Sequence, residues 1–351
     1  MILKNQPGIF CFAEDSSFFD YFFQKLNLNL SVYSDVDKFR LHQSARRIAC
    51  LHMPYPYNPR IEHLIDRVSC DLFIIVCTEM HAYIHNFIRK HDRKNFVYFI
   101  NGNLDQDLQH AKLYTYMDWF RETSDFYKST DYLSQLDNSK KTYFFECLLG
   151  RKKPHRDQIY NYVKENTKIF TTYSASENFI NYEDNTEWVS AINNLQLETT
   201  AKYTVNQIQY MNRTVRLSQL IPIQVYNNSY YSVVAETNTD SGFTFLTEKT
   251  AKPLIAGRLF VIAGNKNSLR TLKHLGFKTF DSVIDESYDT IDSQYKRIKA
   301  MLEQVDYLCT QDPVVITEKI KPVVKHNQQL ILNREWQQEF LQEFLSELKT
   351  C

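Results

Sequence analysis

Short apolar runs bounded by polar turns recur along this chain, separated by stretches with helical spacing. In the first 140 residues the runs are 8–13, IACLHM at 48–53, DLFIIVC at 71–77 and NFVYFI at 95–100. An unbroken apolar run of this length predicts a strand buried on both faces, as in a parallel sheet. Helical spacing at 17–26 and 61–68 supplies crossovers, and the turn-rich 54–59 and 101–103 stop strands. Residues 112–140 read as a helix followed by a linker. The pattern then restarts with strands at 142–149, 169–173, 231–235 and 259–263. A helix is predicted over 154–164, where Pro154 suits the first turn, and another from the cap Thr247 to Ala256, stopped by Gly257. Residues 174–194 form a long polar excursion without a period. Helices are expected to about 305, over 313–326 and, amphipathic, over 334–348. The fold class is α/β, with domains at 1–140 and 141–330 and a final helix, 331–351, able to cross back onto the first domain.

Length and composition narrow the picture. With 351 residues, each of two domains can bury a core. Lys+Arg and Asp+Glu both number 41, so no net charge draws the chain toward nucleic acid, and such a partner is disfavoured. Seven cysteines form no CxxC pair, and several lie inside apolar runs such as YFFECLLG, which suits small hydrophobes in a reducing compartment. The start lacks the uninterrupted apolar core of a signal peptide, and no run is long enough to span a bilayer. The expectation is a soluble, cytoplasmic protein with no transmembrane segment. Five of the seven glycines fall between 150 and 276, where tight turns and close backbone approach are needed.

The densest chemistry lies in 231–280. A strand ends on Glu236, a polar loop follows, and Thr247 caps a helix whose first turn holds Glu248 and Lys249. A glutamate suits that end of a helix dipole; a lysine there wants an anion nearby. Arg156 stands at the start of the helix after strand 142–149. Both cations follow carboxyl ends of predicted parallel strands, and so can face one crevice. Together they would hold a diphosphate and stabilise its charge as it leaves. The cluster Asp285, Glu286 and Asp289 reads as a helix-capping loop. No GxGxxG and no P-loop occurs.

These residues resemble the donor-binding motif of the alpha-1,3-fucosyltransferases. That motif has a strand ending in Phe-Glu-Asn, an aromatic-Val-Thr-Glu-Lys helix start, and an Ile-Pro-Ile strand followed by glycine. Here it reads Val234-Ala235-Glu236-Thr237, Phe245-Leu246-Thr247-Glu248-Lys249 and Leu259–Gly264. The earlier Lys152-Lys153-Pro154-His155-Arg156 is similar to the family's Pro-x-Arg turn. Coverage is about 142–280. The resemblance implies an inverting glycosyltransferase with two Rossmann-like domains facing a cleft (GT-B) that takes the sugar of GDP-fucose. It implies that Arg156 and Lys249 contact the donor diphosphate, that Glu248 takes the ribose hydroxyls, and that Glu236 lies near the transferred sugar. Thr247, Phe245 and Gly264 complete the donor site. Two departures, Thr237 for Asn and Phe245 for Tyr, leave the identity of the sugar open.

No cofactor and no metal are expected, because helix amides and cations take the leaving diphosphate; Asp105-Gln106-Asp107 reads as a solvated loop. Inversion needs a general base. Glu79, just after strand 71–77, is the candidate by position, with His81 as runner-up. The acceptor would be a hydroxyl of a glycan, glycolipid or protein. Two other readings stay open: a non-catalytic interaction protein on the same fold, and a transferase that glycosylates nucleic acid.

Overall fold

A computed structural model describes residues 8–12, 19, 23–24, 31–41, 47–53, 60–137, 140–150, 152–173, 207–240 and 242–350. The turn at 54–59, the excursion at 174–194 and most of the helix expected at 17–26 lie outside them. The architecture is mixed α/β with parallel sheets, in two compact units: Met1–Asp118 with Glu335–Cys351, and Trp119–Arg334.

The first unit is built on six parallel strands: β1 (Gly8–Phe12), β2 (Ser31–Tyr33), β3 (Arg47–Met53), β4 (Leu72–Cys77), β5 (Phe96–Ile100) and β6 (Lys112–Thr115). Their order is β2-β1-β3-β4-β5-β6. The central strands β4 and β5 are buried at every position, which is why their sequences are continuously apolar. One face carries Ile9, Ile48, Cys50, Ile74, Val76, Val97 and Phe99, and it packs against Phe340, Phe344 and Leu348 of the terminal helix Trp336–Thr350. Tyr116 stacks on Phe340 with ring centroids 4.1 Å apart. Polar groups pin the same helix: Lys112 Nζ and Tyr114 OH both donate to the Glu347 carboxylate. The edge strand β6 replaces the start of the helix expected from 112. Its sequence KLYT is exposed or half-buried and so carries no apolar run.

The second unit holds four parallel strands: β7 (Tyr143–Leu149), β8 (Ile169–Tyr173), β9 (Ser229–Ala235) and β10 (Phe260–Ala263), in the order β10-β9-β7-β8. Strand β9 begins two residues before its expected start at Tyr231, because Ser229 already pairs with Tyr143. Helices α1 (Pro154–Val163) and α2 (Glu248–Ala256) follow β7 and β9, and α3 (Ser268–His274) and α4 (Gln294–Thr310) follow β10. Gly257 ends α2 in the left-handed region at φ 66°, with its own N–H on the Leu254 carbonyl and the Arg258 N–H on that of Pro253. The units divide between Asp118 and Trp119, within the stretch 112–140 read as a helix followed by a linker. Tyr127 and Tyr132, on the segment after Asp118, donate to the carbonyls of Gln219 and Ile221 in the second unit. An antiparallel hairpin, Gln207–Tyr210 with Arg213–Arg216, turns through Met211 and Asn212 at positive φ. Among the described residues no helix is long and apolar enough to cross a membrane.

Candidate functional site

The chain leaves β7 for β8 on one side, then returns to place β9 and β10 on the other, so the direction of winding reverses between β7 and β9. In open parallel sheets the crevice beyond the carboxyl ends of two such strands is where ligands bind. After β7 come Lys153, the N-cap of α1, and His155 and Arg156 in its first turn; the loop after β9 carries Glu236 and Thr237 and leads to Glu248 and Lys249. Both predicted cations therefore flank one switch point.

Glu236 is wholly buried, 0% exposed, and its carboxylate takes four donors. Oε1 accepts from the Thr247 amide at 2.9 Å and the Thr250 hydroxyl at 2.6 Å. Oε2 accepts from the Thr247 hydroxyl at 2.7 Å and the Thr237 amide at 3.2 Å. A carboxylate has about four acceptor positions, so this one is saturated. It fastens the first turn of α2 to the end of β9, and a sugar could contact it only by displacing one of those donors. Thr247 is the N-cap expected; its Oγ1 also accepts from the Lys249 amide.

With the helix start fixed, Glu248 and Lys249 are set in place. Lys249 Nζ donates to Glu248 Oε1 at 2.6 Å, and more distantly to Thr237 Oγ1 at 3.3 Å and Thr247 Oγ1 at 3.4 Å. Burial pushes the Glu248 carboxyl up, but Lys249 and Lys252 outweigh it and hold the group below the usual carboxylate range. Glu248 is thus an ionised, acceptor-only group. Lys252, one turn along α2 and 9% exposed, has its ammonium pushed below the ordinary lysine value by burial, against the pull of Glu248.

On the other side of the switch point, Arg156 is buried at 4% exposure within the first turn of α1. Its neighbour His155 donates from Nε2 to the Glu236 carbonyl at 3.0 Å, tying the loop after β7 to the end of β9. A carbonyl only accepts, so the tautomer with Nε2–H is the one that makes this bond. Burial, reinforced by Arg156, lowers the His155 pKa to about 4, so the ring is neutral. Lys153 Nζ donates to the Thr237 carbonyl at 2.7 Å.

Two other predicted donor residues, Phe245 and Gly264, are held by their neighbours in the loops after β9 and β10. The Phe245 ring is buried, and its amide donates to Asn265 Oδ1 at 3.0 Å, so it fills the core beside the loop. Gly264, just after β10, leaves room for the start of α3: a Cβ there would lie 2.7 Å from Ser268 Oγ. The Gly264 carbonyl accepts from Arg297 Nε at 3.3 Å. The acidic cluster is structural. Asp289 accepts the amides of Leu269 and Arg270 at the start of α3, while Glu286 accepts from the Phe280 amide, the Thr279 hydroxyl and Lys273.

Glu79 belongs to the first unit, half-buried in the loop after β4; His81, half-buried, is the N-cap of the helix Ala82–Lys90. Beside them, Asn101 Nδ2 donates to the Thr78 carbonyl at 3.3 Å, and His52 Nε2 lies 3.2 Å from Thr78 Oγ1.

Sequence reasoning missed Arg297 in α4. It is 3% exposed and spends its guanidinium on the carbonyls of Thr239, Gly264, Ile291 and Asp292, locking the loops after β9 and β10 to each other. Nothing local marks it, since two of its partners lie 58 and 33 residues away. It also missed Lys153 and His155, although both stand inside the quoted KKPHR turn, and Thr250, a plain helix residue until Glu236 is seen beneath it.

The fold is thus mixed α/β, two parallel sheets in two units, with a switch-point site in the second. No family model matches the chain, and no curated protein sequence matches it. Among solved structures, the chain titled "OtsA apo structure" is similar at 13% identity and a TM-score of 0.42, over 94% of this chain and 78% of that one. A similarity that loose carries no argument about function, which rests on the residues.

Proposed function

We propose that the protein is a sugar-nucleotide-dependent glycosyltransferase of the two-domain GT-B class, moving a sugar from a nucleoside diphosphate donor to a hydroxyl acceptor. The observation that carries this reading is the pair of cationic loops at the β7/β9 switch point, joined by the His155–Glu236 bond, with Glu248 ionised between Lys249 and Lys252. Arg156 and Lys249 would take the leaving diphosphate, where charge builds as the glycosidic bond breaks. Glu248 would accept from the ribose hydroxyls, the role an acceptor-only carboxylate can fill. Glu236 acts at one remove, by holding α2. The fucosyltransferase-like motif supports a GDP-sugar donor and inversion; Thr237 and Phe245 leave the sugar itself open. Glu79 is the general base in this proposal, and the acceptor is a glycan, glycolipid or protein hydroxyl.

Thermal unfolding with GDP, UDP, ADP, CMP and dTDP tests it, on wild type and Lys249→Ala. One nucleoside diphosphate at about 100 times its dissociation constant should add about 2.7 kcal/mol, and the variant should lose that gain. Stability unmoved by every nucleotide would overturn the reading in favour of a non-catalytic protein on the same fold. Glu79→Gln should then abolish turnover while leaving the nucleotide shift intact.

A further inference from the structure

Two ammonium groups rest on one threonine. Lys153, from the loop after β7, donates to the Thr237 carbonyl at 2.7 Å, and Lys249, from the first turn of α2, donates to the Thr237 hydroxyl at 3.3 Å. The two lysines come from opposite sides of the switch point, yet meet within the span of a single residue. Like charges so close repel, and the two Thr237 atoms they donate to, a carbonyl and a hydroxyl, are neutral. Glu248 offsets Lys249 at 2.6 Å. A multiply charged anion seated between the two loops would accept from both lysines at once.

We infer that Lys153 is a further ligand of the donor's diphosphate, paired with Lys249 through Thr237, and that the pair selects diphosphate-linked over monophosphate-linked sugar donors. This rests on the nucleotide-sugar reading above and adds to it the residue that distinguishes a diphosphate from a monophosphate. A diphosphate offers one phosphoryl group to each side, so Lys249 donates to one while Lys153 and the buried Arg156 donate to the other. A monophosphate can satisfy only one loop, and the other lysine stays on Thr237. Thr237 gives each ammonium a neutral acceptor, and for Lys249 it stands beside the shorter bond to the Glu248 carboxylate.

Calorimetric titration with inorganic pyrophosphate and with inorganic phosphate, at fixed ionic strength, tests this on wild type, Lys153→Met and Lys153→Arg. Wild type should prefer pyrophosphate. Lys153→Met should lose about tenfold in pyrophosphate affinity, the worth of one charge-assisted hydrogen bond, and change little toward phosphate. Lys153→Arg should recover most of that loss. The unliganded thermal midpoint of each variant shows whether the chain folds as wild type does. If both lose folding, the nucleoside diphosphate to monophosphate affinity ratio of Thr237→Val, which frees Lys249 from the shared residue, is read instead, and an unchanged ratio counts against the inference. Should Lys153→Met keep full pyrophosphate affinity while Lys249→Ala still abolishes the nucleotide shift, Lys153 is a strap on the loop; the inference fails and the proposed function stands. Absence of both pyrophosphate binding and any nucleotide shift in wild type overturns the two together.

Discussion

Glu236 grips Thr247 with both carboxylate oxygens, Oε1 on its amide at 2.9 Å and Oε2 on its hydroxyl at 2.7 Å. The first residue after a buried strand thus holds the cap of the next helix, and the adjacent Glu248–Lys249 pair inherits its position from that grip. Replacing the carboxylate with an amide, Glu236→Gln, puts an NH2 against a backbone N–H that can only donate, that of Thr237 or of Thr247. The expected loss is about 3 kcal/mol of folding stability in urea denaturation, compared with about 1 kcal/mol for Thr250→Ala, which removes a single neutral donor. A Glu236→Gln protein as stable as wild type would show that the carboxylate is kept for a ligand instead.

His155 makes stability depend on pH in a defined window. Its folded pKa of about 4 lies below the value of about 6.5 expected in the unfolded chain, so between those values only the unfolded chain takes the proton. Stability is therefore highest above pH 6.5 and falls as the pH drops toward 4. The wild type should lose about 3 kcal/mol relative to His155→Gln across that interval, with no further relative loss below it. Denaturation midpoints of both proteins at several pH values give the difference directly, and a flat difference would mean the ring is solvated.

Gly264 and Ser268 are matched. A methyl at 264 would meet Ser268 Oγ at 2.7 Å, closer than real contacts allow, while that hydroxyl donates to the Asn265 carbonyl. Gly264→Ala should cost about 2 kcal/mol, within the range for overpacking, and Ser268→Ala should relieve part of it. Simple additivity of the two changes in thermal unfolding would remove this account and reopen Gly264 as a place where a ligand approaches the main chain.

Much of the architecture was legible in the residues. DLFIIVC and NFVYFI had to be buried strands, because only a sheet covered on both faces accommodates such runs, and Thr247 and Gly257 marked both ends of α2 by their local chemistry. The strand Lys112–Thr115 was not legible, since an edge strand carries no periodic signature. The division at 118 was equally hidden, because it depends on what Tyr127 and Tyr132 reach.

The candidate site divides the same way. The sequence by itself determined that Glu236, Thr247, Glu248 and Lys249 stand around a strand-to-helix turn and that Arg156 opens another, because caps, dipoles and strand ends act over a few residues. Only the tertiary structure decided that these two turns flank one switch point, that Glu236 is saturated by Thr237, Thr247 and Thr250, and that Lys153 and Lys249 share Thr237. Apart from the neighbours Glu236 and Thr237, those relations join residues from 11 to 84 apart, through an arrangement that is a property of the packed chain, not of any window along it.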